Sequence, residues 1–272
     1  MRLFLAMMLA AVGGTGSSSA AAGGVPEDVK SCAGNTIRTY GRDWDRGSPD
    51  RRVEITHGME VAYERTGFSF LIGVRPNFPD SPPALIGQDL TASGAPHVVI
   101  YEWTGGAHCC IVAHVIRLGK TLQEIATIDG EHSDPEFRAA QPGQPWEVWV
   151  RDWTFAYWPA SFASSPAPEV ILRWDGRRYI VARARMQEPA PPRRQLAALA
   201  QKLRGDKAWS EDPPFVPPEL YITALDLMYS GHEGLGWWFI QEALAPQYPQ
   251  RGEFLSGLKS RLAASTYWQS LK

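Results

Sequence analysis

Short apolar runs separated by turn residues characterise the chain up to about Pro192. The runs are rich in Val, Ile, Tyr and Trp, and Gly, Pro, Asn and Asp lie between them, a pattern that predicts β-strands joined by tight connections. We expect strands near Glu60–Tyr63, Phe68–Val74, Pro96–Trp103, Cys109–Arg117, Leu122–Thr127, Trp146–Trp153, Glu169–Trp174 and Arg178–Arg183. Such a succession predicts a mostly antiparallel sheet.

Two hairpins are the clearest local features of this region. Asp175-Gly176 separates two strand-like runs, and an Asp-Gly pair supplies the positive φ of a tight two-residue turn. A second hairpin joins Val98–Tyr101 to Ile111–Val115 across a glycine-rich segment. Because both of its runs are apolar at successive positions, this pair is expected in the centre of a sheet, covered on both faces.

The apolar spacing becomes helical after Pro192. One face is marked by Leu196, Leu199, Ala200 and Leu203, and another, after Pro217-Pro218, by Leu220, Ala224, Leu227 and Met228. Two more helices are expected around Leu235–Leu244 and Glu253–Ala263, with a last turn at Tyr267-Trp268. The predicted fold class is therefore α+β, a mostly antiparallel β region followed by a small helical C-terminal region that packs as a bundle or against the sheet.

The N-terminal segment has the pattern of an export signal. Met1-Arg2 precede the apolar run Leu3–Val12, which is too short to span a bilayer, and small residues end in Ala20–Ala22. A buried N-terminal helix is the alternative. We expect a signal peptide over residues 1–22, a β-rich domain over 23–188, a proline-rich linker at 189–192 and a helical region over 193–272. The protein is then periplasmic or secreted.

Composition and motifs exclude several classes of function. A formal net charge of -2, with both signs interspersed, provides no basic surface for nucleic acid. After the export signal no run is apolar enough for a membrane span. The chain lacks a Gly-x-Ser-x-Gly elbow, a His-Glu-x-x-His helix and a glycine-rich phosphate loop. We therefore expect no cofactor and no nucleic-acid partner.

Several segments resemble known families. Asp89–Ile100 is similar to the calcium loop of FG-GAP (integrin α-type) propeller blades. Together with Gly-Gly-Ala-His-Cys-Cys at Gly105–Cys110 and the segment Ser165–Tyr179, it resembles a group of uncharacterised bacterial exported proteins that carry this GGAHCC motif. Weaker likenesses are found at Leu225–Gly231 and Ser265–Trp268. The resemblance implies a propeller-blade-like β region, in a group with no established activity.

FG-GAP loops bind calcium through several carboxylates, because this hard cation takes six to eight oxygen ligands. This chain keeps Asp89 but has Ser93 and His97 where the family pattern has carboxylates. We therefore expect the loop to form a turn rather than a calcium site, with calcium as the alternative.

The three cysteines allow three interpretations in an oxidising compartment. A disulfide from Cys32 to Cys109 or Cys110 would close a loop of about 77 residues and stabilise the fold by roughly 4 kcal/mol. A vicinal Cys109-Cys110 disulfide needs a distorted backbone, since neighbouring strand residues point to opposite faces. A zinc or copper site, or a thiol-imidazole pair, would draw on the nearby histidines His97, His108 and His114.

An aromatic cluster is the remaining candidate for function. It comprises Trp146, Trp149, Trp153, Phe155, Tyr157, Trp158 and Phe162. Such rings fill a sheet core or form a recognition surface, because each combines an apolar face with a polar group. The candidate binding residues are Tyr157, Trp158 and Trp153, at the point where the chain leaves its strand.

The function expected from these observations is non-enzymatic binding or scaffolding. The partner would be an unidentified protein, peptide or glycan of the cell envelope. The alternative is a hydrolase acting on an envelope polymer, for which Glu102 and Asp152 are the candidate carboxylates. Convergence of Glu102, His108 and Asp152 on one pocket would favour the hydrolase, whereas their dispersal would favour binding.

Overall fold

The computed structural model describes residues 24–41, 51–80, 84–106 and 109–272. Within these residues, three antiparallel sheets precede a predominantly helical C-terminal part, which confirms the predicted α+β fold class. The predicted signal peptide lies outside the described residues.

The first sheet contains four strands that the chain forms in sequence order. They are β1 (Asp28–Cys32), β2 (Asn35–Tyr40), β3 (Arg52–His57) and β4 (Glu60–Thr66). Only β4 was expected from the apolar pattern. The first three strands contain many polar residues. On β3, for example, the buried side chains of Arg52 and Glu54 form an ion pair at 2.7 Å.

The central sheet has the order β5-β7-β8-β9, and β6 also pairs with β7. Its strands are β5 (Ser69–Ile72), β6 (Ile86–Gln88), β7 (His97–Trp103), β8 (Ile111–Arg117) and β9 (Gln123–Asp129). The third sheet has the order β10-β11-β12-β13, formed by β10 (Glu136–Arg138), β11 (Glu147–Arg151), β12 (Glu169–Trp174) and β13 (Tyr179–Val181).

The expected central hairpin is confirmed by β7 and β8, which pair from His97 opposite Arg117 to Trp103 opposite Ile111. Successive β7 residues enter different cores. Val99 belongs to the main core, shared with the third sheet and the helices, whereas Val98 belongs to a second core beneath the first sheet. Since strand side chains alternate between faces, this explains why β7 is apolar at successive positions.

The hairpin at Asp175-Gly176 differs from its prediction in length. Strands β12 and β13 do pair, but Trp174 lies opposite Tyr179, so the connection is longer than two residues. Asp175 Oδ1 accepts the backbone N–H groups of Arg177 and Arg178 at 2.8 and 2.9 Å. This side-chain acceptor stabilises the wider turn, because an aspartate can bond backbone groups two and three residues ahead.

The helices after Pro192 begin close to the predicted positions, whereas the helix at Arg183–Met186 was not expected. They are α1 (Arg183–Met186), α2 (Arg193–Arg204), α3 (Pro218–Tyr229), α4 (Glu233–Ala243), α5 (Arg251–Ala264) and α6 (Thr266–Leu271). Their apolar faces share one core with the third sheet, so they pack against it. In the part of the chain that the structure describes, no helix is long and apolar enough to cross a membrane.

A buried aspartate ties the β region to the helices. Asp152 caps the 3-10 helix Trp153–Phe155 by accepting the N–H of Thr154 at 3.0 Å. Its other oxygen accepts the hydroxyl of Tyr229, on α3, at 2.5 Å and the hydroxyl of Ser265, between α5 and α6. Burial alone would penalise this charge, so its polar partners make the junction possible.

Candidate binding cleft

A cleft of about 570 Å³ opens where the central hairpin turns. We call it the aromatic cleft, and it is lined by Arg51, Phe68, Ser69, Leu71, Pro76, Asn77, Tyr101, Trp103, Gly106, Cys109, Ile111, Glu131, His132 and Phe162. Its size lies within the usual range of ligand sites, roughly 300 to 1,000 Å³. The glycine-rich turn and the aromatic cluster, which are distant in the sequence, both contribute to it.

The glycine-rich turn forms one wall. Trp103 Nε1 donates to the carbonyl of Cys109 at 3.1 Å, and the Trp103 ring contacts Phe68 edge-to-face at 4.9 Å. Gly105 has a φ of 89°, and a Cβ there would lie only 3.1 Å from the Phe68 ring. Glycine at this position therefore permits both the left-handed backbone and the close approach of the ring.

Phe162 is the member of the aromatic cluster that lines the cleft, together with His132. The His132 ring packs edge-to-face against Trp153 at 5.0 Å and Phe162 at 4.9 Å, and these two rings stack on each other. Trp153 Nε1 donates to the Ser133 hydroxyl at 3.1 Å. Tyr157 is 60% exposed and lies 5.3 Å from Phe162. Two of the predicted binding residues, Trp153 and Tyr157, thus contact Phe162 but do not themselves line the cleft.

Glu131 enters the cleft through a β-bulge at the end of β9. Gly130 N–H donates to the Ile111 carbonyl at 2.8 Å, and Ile111 N–H donates to the Glu131 carbonyl at 2.9 Å. Gly130 and Glu131 therefore both lie opposite Ile111, which is the pattern of a bulge, and Glu131 takes a φ of 49°. A Cβ at Gly130 would lie 2.1 Å from the Ser133 carbonyl, so only glycine fits there.

The carboxylate of Glu131 is in an unfavourable electrostatic position. Partial burial raises its pKa, and the charges of Asp129 and Asp152 raise it further. A left-handed backbone at a non-glycine residue also costs about 1 to 3 kcal/mol. Strain and a raised carboxyl pKa in a cleft are features of functional sites. Sequence analysis did not select Glu131, although the Asp-Gly-Glu segment that ends β9 is a recognisable turn signal.

Asn77 and Asp134 form hydrogen bonds that hold the loop beside the cleft in place. Asp134 accepts the backbone N–H of Asn77 at 2.8 Å and its side-chain amide at 2.6 Å. Burial raises the pKa of Asp134, although the bonds from Asn77 oppose this effect. The loop that carries Asn77 is thus held against the turn that carries Glu131.

Trp158, the third predicted binding residue, lies away from the aromatic cleft. Its ring stacks on Phe254 of α5 at 5.1 Å and contacts Phe155 and Tyr221. A Cβ at Gly257 would lie 2.8 Å from Trp158 Nε1, so α5 approaches this ring closely. The half-buried Trp158 therefore packs between the 3-10 helix Trp153–Phe155 and α5.

The cysteines occupy two different places. The sulfurs of Cys109 and Cys110 lie within disulfide-bonding distance of each other, beside the aromatic cleft. Cys32 is half-buried with a free thiol, and its sulfur would lie 3.0 Å from a Cβ at Gly87, on β6. The disulfide from Cys32 to Cys109 or Cys110 stays a prediction, which peptide mapping without reduction tests.

The candidate hydrolase carboxylates lie at separate, internally bonded positions. Glu102 lies on β7, where Arg65 Nε and His114 Nε2 approach its Oε2 at 2.8 and 3.0 Å. Burial raises the pKa of Glu102, but these two partners outweigh it and hold the pKa below its usual value. Asp152 is bonded to the helices as described above. Neither carboxylate lines the aromatic cleft, and His108 lies outside the described residues.

The remaining histidines and the Asp89 loop have structural partners. Asp89 accepts the backbone N–H groups of Thr91, Ser93 and Gly94 at 3.3, 3.1 and 2.6 Å. His97 pairs across the hairpin with Arg117 rather than with His114. Cys110 immediately precedes β8, the strand that carries His114. Within the described ranges, no group of three or more potential metal-ligating side chains is found.

Comparison with known proteins adds no relative. The chain matches no protein-family model, no curated protein and no solved structure.

Proposed function

We propose that this chain is an exported binding protein that holds a glycan of the cell envelope in the aromatic cleft. The export signal at residues 1–22 supports a periplasmic or secreted location. The observation that carries the proposal is the convergence of the glycine-rich turn and the aromatic cluster on this one cleft.

The lining suits a sugar ring. Sugars present apolar C–H faces and hydroxyl edges, and an aromatic ring offers a flat face whose negative quadrupole attracts C–H groups. Phe68, Trp103 and Phe162 supply such rings, whereas Asn77 and Glu131 supply an amide and a carboxylate that can bond hydroxyls. A few polar groups among apolar walls are typical of small-ligand sites.

Titration with soluble oligosaccharides from digested bacterial cell wall tests this proposal. Trp103 in the wall provides an intrinsic fluorescence signal. We expect Phe162→Ala to weaken binding by about tenfold, or about 1.4 kcal/mol, as a central aromatic contact would. Phe215→Ala is the control, since Phe215 is 49% exposed and does not line the cleft. Equal affinity in both variants, or binding of envelope peptides instead, would contradict the proposal.

For the alternative function, a hydrolase, the candidate acid is Glu131 rather than Glu102 or Asp152. Glu131 lines the cleft and has a raised carboxyl pKa, caused first by burial and then by neighbouring carboxylates. A carboxylic acid of this kind can protonate a leaving group. Release of reducing sugar ends from the same oligosaccharides, lost in Glu131→Gln, would establish the alternative. Binding without any product would leave the binding function.

A further inference from the structure

Two of the three sheets end in open strands that face each other. β9 is the last strand of the central sheet, and β13 is the last strand of the third sheet. Among the described residues, neither strand has a partner on its outer edge. A second cleft of about 830 Å³ lies between them, and α6 closes its third side through Thr266, Tyr267 and Ser270. We call this the edge cleft.

Strand edges form two sides of the edge cleft, to which the inner strand β12 adds Leu172. Residues 125–129 of β9 and 178–181 along β13 border it consecutively. A strand face would contribute only every second residue, because side chains alternate between faces. The cleft is therefore bordered by backbone N–H and C=O groups, the groups through which a sheet accepts another strand.

Each of the two edges has an uncharged stretch, although β9 also carries a bulge at Ile125, opposite the step from Val115 to Ile116 on β8. Residues 125–128 of β9 are Ile, Ala, Thr and Ile, and residues 179–181 of β13 are Tyr, Ile and Val. Charged residues commonly block open edges, as Glu60 and Glu64 can do on β4, the outer strand of the first sheet. Uncharged residues of high β propensity on facing edges favour the addition of a strand.

The end of β9 carries negative charge, and the two arginines of the edge cleft, Arg178 and Arg183, lie on its β13 side. Among the described residues, no ion pair involves Asp129 or Glu131. The pKa of Tyr267 is raised to about 12, first by burial and then by the charges of Asp152, Glu131 and Asp129. On the opposite side, Arg183 donates to the carbonyl of Leu271 at 2.5 Å. The β9 side of the edge cleft is thus complementary to a basic side chain.

We propose that the edge cleft binds an extended basic peptide, which adds as a strand to β9 and places a lysine or arginine beside Asp129 and Glu131. Main-chain hydrogen bonds would supply affinity, and alternate side chains would supply specificity. This site is distinct from the glycan function proposed for the aromatic cleft, although Glu131 borders both clefts. Arg178, at the start of the β13 side, would disfavour a second basic residue there.

The test uses a labelled seven-residue peptide of alternating lysine and valine with the purified mature protein. Fluorescence polarisation should show saturable binding. A peptide of the same sequence, N-methylated at alternate residues, should bind at least tenfold more weakly, because it cannot complete the ladder. A glutamate-valine peptide should also bind at least tenfold more weakly. Hydrogen exchange should slow at residues 125–128 when the lysine-valine peptide is bound.

Charge variants locate the basic side chain. Asp129→Asn and Glu131→Gln should each weaken binding by about two- to fivefold, since partly exposed charge pairs contribute modestly. Glu64→Gln is the matched control, because Glu64 is an exposed acid on a different open strand. Its affinity should equal that of the native protein.

Four results would overturn the proposal. These are an undiminished affinity of the N-methylated peptide, equal binding of the glutamate-valine peptide, no change in exchange along β9, and no binding of the lysine-valine peptide. Concentration-dependent self-association that protects residues 125–128 without peptide would assign the edge cleft to a second copy of the chain and would also overturn it.

Discussion

The buried histidine of the central sheet offers the strongest test of the polar interior. His114 is fully buried on β8, and its Nε2 lies 3.0 Å from Glu102 while its Nδ1 lies 2.9 Å from Glu124. The two nitrogens can both donate only when the ring carries a proton on each. His114→Leu removes both bonds and replaces the ring with an apolar side chain of similar size.

The loss of unfolding free energy on this substitution depends on the hydrogen bonds that each carboxylate retains. His114→Leu removes two hydrogen bonds to carboxylates, each typically worth about 1.5 to 3 kcal/mol. Glu102 retains Arg65, and Glu124 retains the hydroxyls of Thr127 and Tyr63 at 2.6 and 3.1 Å. The Glu124 side chain is also 27% exposed, so water compensates part of the loss. We therefore expect the lower end of the combined range for two such bonds, about 3 kcal/mol of unfolding free energy at pH 7.

Urea denaturation measures this loss, with His57→Leu as the control. His57 lies on β3, is half-buried, and shares a single bond of 3.3 Å with Asn35. Its replacement should cost about 1 kcal/mol or less, the usual net value of one neutral hydrogen bond. If the two variants lose equal stability, the buried network does not stabilise the sheet and the reasoning is refuted.

The pH dependence supplies a second readout of the same network. Burial raises the pKa values of Glu102 and Glu124, but their hydrogen-bond donors outweigh burial and lower both. A carboxyl with a lowered folded-state pKa stabilises the fold above its unfolded pKa, and this contribution disappears as the pH falls through the folded-state value. The native protein should therefore lose stability below about pH 4.5, the ordinary glutamate pKa. His114→Leu should lose less over the same range.

The remaining predictions concern the helical junction, the aromatic cluster and the Asp89 loop. Tyr229→Phe should lower the unfolding free energy by about 1.5 to 3 kcal/mol in urea denaturation, because it removes a hydrogen-bond donor from buried Asp152. Tyr248→Phe is the control and should change it very little, since the Tyr248 hydroxyl has no partner among the described residues. Trp158→Ala should cost about 3 kcal/mol or more and leave oligosaccharide binding unchanged, and full stability with lost binding would contradict its packing role. Added calcium should leave the melting temperature unchanged, since backbone N–H groups already bond Asp89, and a saturable rise of several degrees would refute this.

The sequence was most informative where the period of apolar residues was long and regular. The helices after Pro192 and the central β7–β8 hairpin follow directly from the spacing, because each element buries a stripe or a whole strand. The first sheet was largely missed. Strand β2, Asn-Thr-Ile-Arg-Thr-Tyr, has only one aliphatic residue, Ile37, and its strand state depends on pairing with β3.

Assembly of the candidate site could not be predicted from local patterns. Glu131, Phe68 and Phe162 belong to three separate segments, and only the tertiary fold brings them to one cleft. The aromatic cluster shows the same limit, because adjacent rings serve different environments. Tyr157 takes a left-handed φ of 57°, and Trp158 packs on α5 while Tyr157 contacts Phe162, which lines the aromatic cleft.

The bulge at Gly130-Glu131 explains how one carboxylate can border both clefts. A regular continuation of β9 would alternate its side chains across the sheet, so Asp129 and Glu131 would point to one face. The extra residue opposite Ile111 interrupts this alternation and bends the strand end. Glu131 thereby lines both the aromatic cleft and the edge cleft. Binding in either cleft should therefore change the environment of the same carboxylate, so ligands of the two clefts are expected to influence each other's affinity.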